Sequence, residues 1–174
     1  MYILCNGEYT TIPPSKDGFS FIITNRGFDP DCPFCHQRLI AHDWNRRFER
    51  CLDGTINEYW VEDRMCPRCG KLQRLLPDFL VPHKHYGADA IEKMIDNSSG
   101  EILDKYPDTS NTFTIERFKA WWNAMKPYFL AVLISLEQTI GKAYRRADSF
   151  KTIVRNVANS CHWTFPTHLV STPG

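Results

Sequence analysis

The sequence predicts an α+β protein: a small antiparallel zinc ribbon followed by an all-α, helix-turn-helix-like helical domain. Three observations predict it. Two Cys-x-x-Cys pairs, Cys32-Pro33-Phe34-Cys35 and Cys66-Pro67-Arg68-Cys69, frame one stretch of chain. Between them, two strand-like segments flank Leu52-Asp53-Gly54-Thr55, a hairpin signature. Beyond residue 87, apolar residues recur at helical spacing. The expected organisation is a strand-like N-terminal segment (1–31), the ribbon and a connector (32–86), the helical domain (87–141) and a basic helix with a tail (142–174).

The cysteine pairs carry the most specific chemistry. They are separated by 30 residues, and each places two sulfurs on one tight turn. Two such turns supply Cys32, Cys35, Cys66 and Cys69 as a closed tetrahedral S4 set, which suits structural zinc, one ion per chain. Proline at the second position of each turn stiffens it, and Gly70 permits the positive φ that often follows the second ligand. A redox pair, an iron–sulfur centre or four buried thiols are the alternatives, but one redox motif would not need a duplicate. His36 and His42 lie close in sequence, yet four thiolates already close the shell. Cys5, Cys51 and Cys161 lack partners at ligand spacing and are expected to be buried small residues.

Within the ribbon, Leu39 to Cys51 and Ile56 to Met65 are the expected strands. Tyr59, Val61 and Met65 line one face, with Trp60, Glu62 and Arg64 on the other. Arginines including Arg38, Arg46, Arg47, Arg50 and Arg64 decorate it, either as a solvated surface or as a phosphate- or protein-docking one. Leu75 to Tyr86 follows with prolines at 77 and 82, which exclude a regular helix and leave an extended apolar connector.

Ala88 to Ser98 and Glu101 to Tyr106 are expected helices, broken by Ser98-Ser99-Gly100 and stopped by Pro107. A third helix, capped by Thr114, buries Phe118, Trp121, Trp122 and Met125. Its outward face would carry Glu116, Lys119, Asn123 and Lys126, with Arg117 alongside; Asn and Arg can read base edges and Lys can contact phosphate. A polar stripe opposite an apolar one is also what any amphipathic helix shows. Pro127 is expected to start a new helical segment that ends at Gly141 and completes the core or forms a dimer seam. Lys142, Arg145 and Arg146 make a basic cluster, and Asp148 is expected to cap a last helix.

The chain has 174 residues, 43% of them hydrophobic and 24% charged, which excludes wholesale disorder. Its net charge of +1 hides opposed blocks: residues 1–31 and 86–113 are acidic, while 32–85 and especially 114–174 are basic. The N-terminus has no basic start or sustained apolar run, and Phe129 to Leu136 falls far short of the roughly 20 residues that span a bilayer. Neither export nor a membrane is expected, and a cytoplasmic location would keep the cysteines reduced.

Cys-Pro-x-Cys, Cys-Pro-Arg-Cys-Gly-Lys and the run from Leu76 to Tyr86 together resemble a family of small bacterial proteins associated with transposons. Those proteins combine an N-terminal zinc ribbon with a helix-turn-helix region, and their domain carries no assigned function. Thr114 to Trp122 and the segment ending Asn159-Ser160-Cys161-His162-Trp163 are similar to the family's third helix and C-terminal segment. The resemblance implies zinc and DNA association and supplies no reaction.

The expected function is therefore that of a zinc-dependent DNA-binding accessory or regulatory protein of a bacterial mobile element. Arg117, Lys119, Asn123, Lys126, Arg145 and Arg146 are the candidate DNA contacts. The alternative is an adaptor docking onto a larger transposase or nuclease, and a dimer is possible in either case. No Gly-rich phosphate loop, nucleophile elbow or His-Glu-x-x-His helix appears, so no enzyme is expected.

Overall fold

The hairpin expected between the cysteine pairs is present. It appears in a computed structural model that describes residues 1–5, 7, 9–12, 20–24, 28–106, 112–140 and 149–160. Strand β4 (Ile40–Arg50) runs antiparallel to β5 (Ile56–Met65), from Ile40 opposite Met65 to Arg50 opposite Ile56. Gly54 closes the turn at φ 84°, a conformation that favours glycine.

The remaining architecture departs from the expected fold class. The hairpin is the centre of a mixed six-stranded sheet, not a small free-standing antiparallel ribbon. Because β4 covers one edge of β5 along its length, every other partner must share the opposite edge. Strand β3 (Ser20–Thr24) takes the part from Tyr59 to Val61, in parallel. Strand β6 (Leu72–Pro77) takes Asp63 to Met65, antiparallel. Strand β1 (Tyr2–Cys5) extends the sheet beyond β6 in parallel, and β2 (Tyr9–Ile12) extends it beyond β3. The first residues of the expected connector, Leu75 to Pro77, are thus part of strand β6. Parallel pairing between residues about 70 positions apart leaves no mark in local periodicity, because neither partner's alternation reveals the other.

The helices do not form a separate helix-turn-helix-like domain either. Helices α1 (Ala88–Asp96), α2 (Ser99–Lys105), α3 (Thr112–Ile140) and α4 (Phe150–Asn159) follow the strands. Their apolar stripes enter one core with the sheet, in which Ile91, Ile115, Phe129 and Val154 join Leu4, Ile22, Val61 and Leu76. The physical reason is the inner face of β5 and β6, whose apolar side chains require a cover that only the helices provide.

Two local expectations also change. Helix α2 begins at Ser99 because Ser98 and Glu101 form a reciprocal capping box. The serine accepts from the Glu101 N–H, and the Glu101 carboxylate accepts from the Ser98 N–H. Helix α3 continues through Pro127 instead of restarting there. The proline and Asn123, whose carbonyl loses its helical donor, both lie on the exposed face, where water can serve that carbonyl. An interior proline costs about 3 kcal/mol. Continuing the stripe buries Phe129, Val132 and Leu133 at about 1.5–3 kcal/mol each, so continuation wins.

Helix α4 is tied to the rest of the fold at both ends. Ser149 caps it, and its Phe150 N–H donates to the Glu92 carboxylate of α1 at 3.0 Å. Asp78, after β6, accepts ion pairs from Lys151 and Arg155 at 3.6 Å each. The Asn159 amide receives the Leu4 N–H at 2.7 Å and donates to the Leu4 carbonyl at 2.9 Å, closing the outer edge of β1. Asp148, the expected cap, lies outside the described residues.

Replacing Asn159 by alanine removes both bonds to β1. We expect a loss of about 1–2 kcal/mol in urea-unfolding free energy with an unchanged m-value. An effect within error would mean that this clasp does not hold α4 to the sheet.

Candidate metal centre and the adjoining basic cleft

The hairpin register explains why the four cysteines meet. Cys66 directly follows Met65, and Met65 pairs with Ile40 just after the first cysteine turn, so both turns sit at the open end of the hairpin. The two turns repeat the same backbone pattern. In the first, the Cys32 N–H donates to the Gln37 carbonyl at 2.8 Å and the His36 N–H to the Cys32 carbonyl at 2.8 Å. In the second, the Cys66 N–H donates to Lys71 at 3.0 Å and the Gly70 N–H to Cys66 at 2.9 Å. The residue after each second cysteine is left-handed, at φ 56° for His36 and 69° for Gly70. The positive φ anticipated for glycine is therefore shared by a histidine, which serves the turn and is absent from the ligand cluster.

The ligand sulfurs of Cys32, Cys35, Cys66 and Cys69 all lie within 4.8 Å of one another. Cys32 and Cys69 approach to 3.6 Å and Cys35 and Cys66 to 3.4 Å. Those separations far exceed a disulfide bond, about 2.05 Å. They match the edges of a tetrahedron built on metal–sulfur bonds of about 2.3 Å. The four cysteines could therefore hold a metal ion, and the chemistry of the donor set fits a soft, tetrahedral one. Burial disfavours ionising Cys66, but the Cys69 N–H, the Cys35 and Cys69 thiols and the Arg68 N–H outweigh it and bring this thiol down to about 6. The Gln37 N–H favours the Cys35 thiolate, yet burial and the adjoining thiols push it up to about 11. Four thiols this close cannot all ionise alone, whereas a cation among them would support four thiolates. Leu39 and Ile3 pack against the cluster, joining it to β1.

A second feature occupies the other end of the hairpin. The Arg50 N–H donates to the His85 carbonyl at 2.6 Å, and the Gly87 N–H donates to the Arg50 carbonyl at 3.3 Å. The half-buried Arg47 guanidinium donates to the carbonyls of Val81 and Lys84 at 3.1 and 3.0 Å, fixing the same segment from beneath. Between this segment and α3 lies a cleft of about 480 Å³, lined by Arg50, Lys84, His85, Arg117, Phe118 and Trp121 among others, with no acidic side chain among the described residues of its lining. The Lys84 ammonium lies 4.1 Å from the centre of the Trp121 ring. Burial, then the Arg117 charge, push its pKa down to about 8.

Residues 32–118 match a family model described as Domain of unknown function (DUF6431), which covers half of the chain. The chain belongs to this family. No curated protein and no solved structure matches it. The DUF6431 segment contains the four cysteines, strands β4 to β6 and every cationic residue named in the cleft.

The candidate DNA residues do not share one face in this DUF6431 protein. Arg117 lines the cleft, while Lys119, about 200° away around α3, approaches Glu116 at 3.7 Å and the Ser99 hydroxyl at 3.5 Å. Asn123 and Lys126 are exposed on that far side, with Lys126 6.0 Å from the Trp122 ring centre. Arg145 and Arg146 lie outside the described residues, as does Cys161. Of the other spectators, Cys5 is buried, while Cys51 is half-buried and accepts from the Asn57 amide. Sequence reasoning missed Lys84 and His85 as site residues. Their only signal was the basic run within an otherwise apolar connector.

Gly70→Ala tests the second turn cleanly, because a Cβ there meets nothing within 4 Å and only the positive φ opposes it. It should lower stability by about 1–2 kcal/mol while keeping the metal content of wild type. Cys66→Ser should abolish stoichiometric metal, read by elemental analysis; metal retained in that variant would exclude the S4 site.

Proposed function

We propose that this protein is a zinc-stabilised DNA-binding protein, an accessory or regulatory factor of a mobile element rather than an enzyme. The observation that carries the reading is the basic cleft. Three full cations, Arg50, Lys84 and Arg117, converge there with His85 beside the rings of Tyr86, Phe118 and Trp121, and no acid lines it among the described residues. Such a surface attracts phosphates by charge and presents rings to a sugar or base. The cleft, and not a recognition helix, is the proposed contact. The S4 donor set supports zinc as the ion, and thiolate ligands suit a reducing cytoplasm. No helix of the described residues is long and apolar enough to cross a membrane. The mobile-element setting rests on the resemblance of the cysteine turns and the connector run.

Zinc holds the open end of the hairpin, so chelation should weaken DNA binding indirectly, by loosening β4 and β5. Purified protein is expected to contain about one zinc per chain, as a four-thiolate site requires. With three cations on phosphate, the logarithm of affinity should fall against that of salt with a slope of about −2 to −3. Arg117→Ala should reduce that slope by roughly one and Lys119→Ala should leave it unchanged. Equal slopes for wild type and Arg117→Ala would remove the cleft from consideration.

Lys84 adds a pH dependence. A phosphate in the cleft favours the ammonium, so the bound protein keeps this proton to higher pH than the free one. Affinity should be full below pH about 8 and fall above it. A flat profile from pH 7 to 10, with folding intact by circular dichroism, would show that phosphate does not reach Lys84.

A further inference from the structure

We propose that the outer face of the β4–β5 hairpin is a stacking platform for single-stranded nucleic acid, continuous with the basic cleft. The inference rests on the DNA-binding reading and specifies which form of nucleic acid the protein takes. On the inner face of the hairpin, Arg47 binds the connector, Tyr59 packs against the core and Val61 lies within it. The outer face carries Trp44, Arg46, Phe48 and Arg50 at every second position of β4. Ring, guanidinium, ring, guanidinium therefore repeat along one strand, about 7 Å from each to the next. Trp60 and Phe21 extend the aromatic surface sideways: their rings stack at 6.2 Å, Phe21 meets Trp44 edge-on at 5.6 Å, and Arg46 lies 5.4 Å from the Trp60 ring centre.

Trp44 and Phe48 are each 37% exposed, so both rings present apolar surface to solvent. Among the described residues, β5 places two acids on this face: Glu58, opposite Phe48, and Glu62, opposite Trp44, which Arg64 holds at 2.8 Å and which accepts from Thr24. The platform runs directly into the cleft. Phe48, Arg50, Ile56, Glu58 and His85 line a depression of about 320 Å³, and Arg50 and His85 also line the cleft itself.

Charge selects the occupant. An apolar partner protein would gain nothing from guanidinium groups at alternate positions. A second copy of this chain would bring the same arginines toward one another. A single strand alternates planar bases with phosphates, and unpaired bases are available to stack on Trp44 and Phe48 while Arg46, Arg50 and the cleft meet the phosphates. A duplex keeps its bases stacked internally and can engage only the cations.

Fluorescence anisotropy on zinc-loaded full-length protein separates these possibilities. The probes are a mixed-sequence 16-nucleotide DNA strand, its duplex, and the RNA strand of the same sequence. Single-stranded DNA should bind at least roughly ten-fold tighter than duplex. The RNA arm distinguishes the source of the strand: equal affinity means that the sugar is not read, and unequal affinity identifies the preferred strand. Trp44→Ala and Phe48→Ala should each weaken single-strand binding by roughly ten-fold while leaving duplex affinity and the salt slope unchanged. Both side chains are partly exposed, and circular dichroism with zinc content confirms folding. Trp44→Phe, which keeps a ring, should restore most of the affinity. Equal binding of strand and duplex, with both alanine variants behaving as wild type, overturns the platform and leaves the cleft in place. Absence of binding to all three probes overturns both. Self-association through this face, seen as a dimer by light scattering that Trp44→Ala dissolves, also overturns the platform.

Discussion

Strand β5 has two edges and two faces, and their occupancy governs everything else. One edge belongs to β4 throughout. The other must be divided between β3 and β6, because an unpaired buried strand edge costs the full desolvation of each backbone group. That division draws the N-terminal strands and the segment after the second cysteine turn into the same sheet. It also fixes the ends of the hairpin. At the open end, register places the cysteine turns side by side. At the turn end, Arg50 pairs with the segment that carries Lys84 and His85. The cysteine cluster and the cleft are therefore opposite ends of one two-stranded element.

The charge distribution follows from the same frame. Most of the acids described above are engaged within the fold: Asp63 holds Arg74 at 2.8 Å, Glu62 holds Arg64, Asp78 holds Lys151 and Arg155, and Glu116 lies beside Lys119. These pairs remove both signs from the surface potential in roughly equal measure. Arg50, Lys84 and Arg117 line one cleft, and Arg46 and Arg50 lie along the outer face of β4. A net charge of +1 thus coexists with a local concentration of cations, since a total is blind to position.

The hairpin and the metal cluster were legible because their information is local. Two residues between cysteines define a chelating turn, Asp53-Gly54 defines a tight reversal, and alternation assigns Tyr59 and Val61 to one face and Trp60 and Glu62 to the other. The capping box at Ser98 is equally local, but the serine–serine–glycine run points to a break and masks the glutamate three residues on. Pro127 misled for a different reason. Its penalty is real, and only the burial of Phe129, Val132 and Leu133 against the sheet and helices exceeds it.

Sequence alone determined the four clustered cysteines, the hairpin and the helical character of the second half, all features written within a few turns of chain. Tertiary structure decided the mixed sheet, the shared core and the division of α3, which sends Arg117 toward the connector and Lys119 toward α2. It also decided that an arginine at the end of β4, a lysine after Pro82 and an arginine on α3 would face one another. Pairings across some 70 residues, such as Ile3 beside Leu75, depend on which edges and faces remain open once the hairpin has formed. No local pattern encodes that vacancy; the folded neighbours create it.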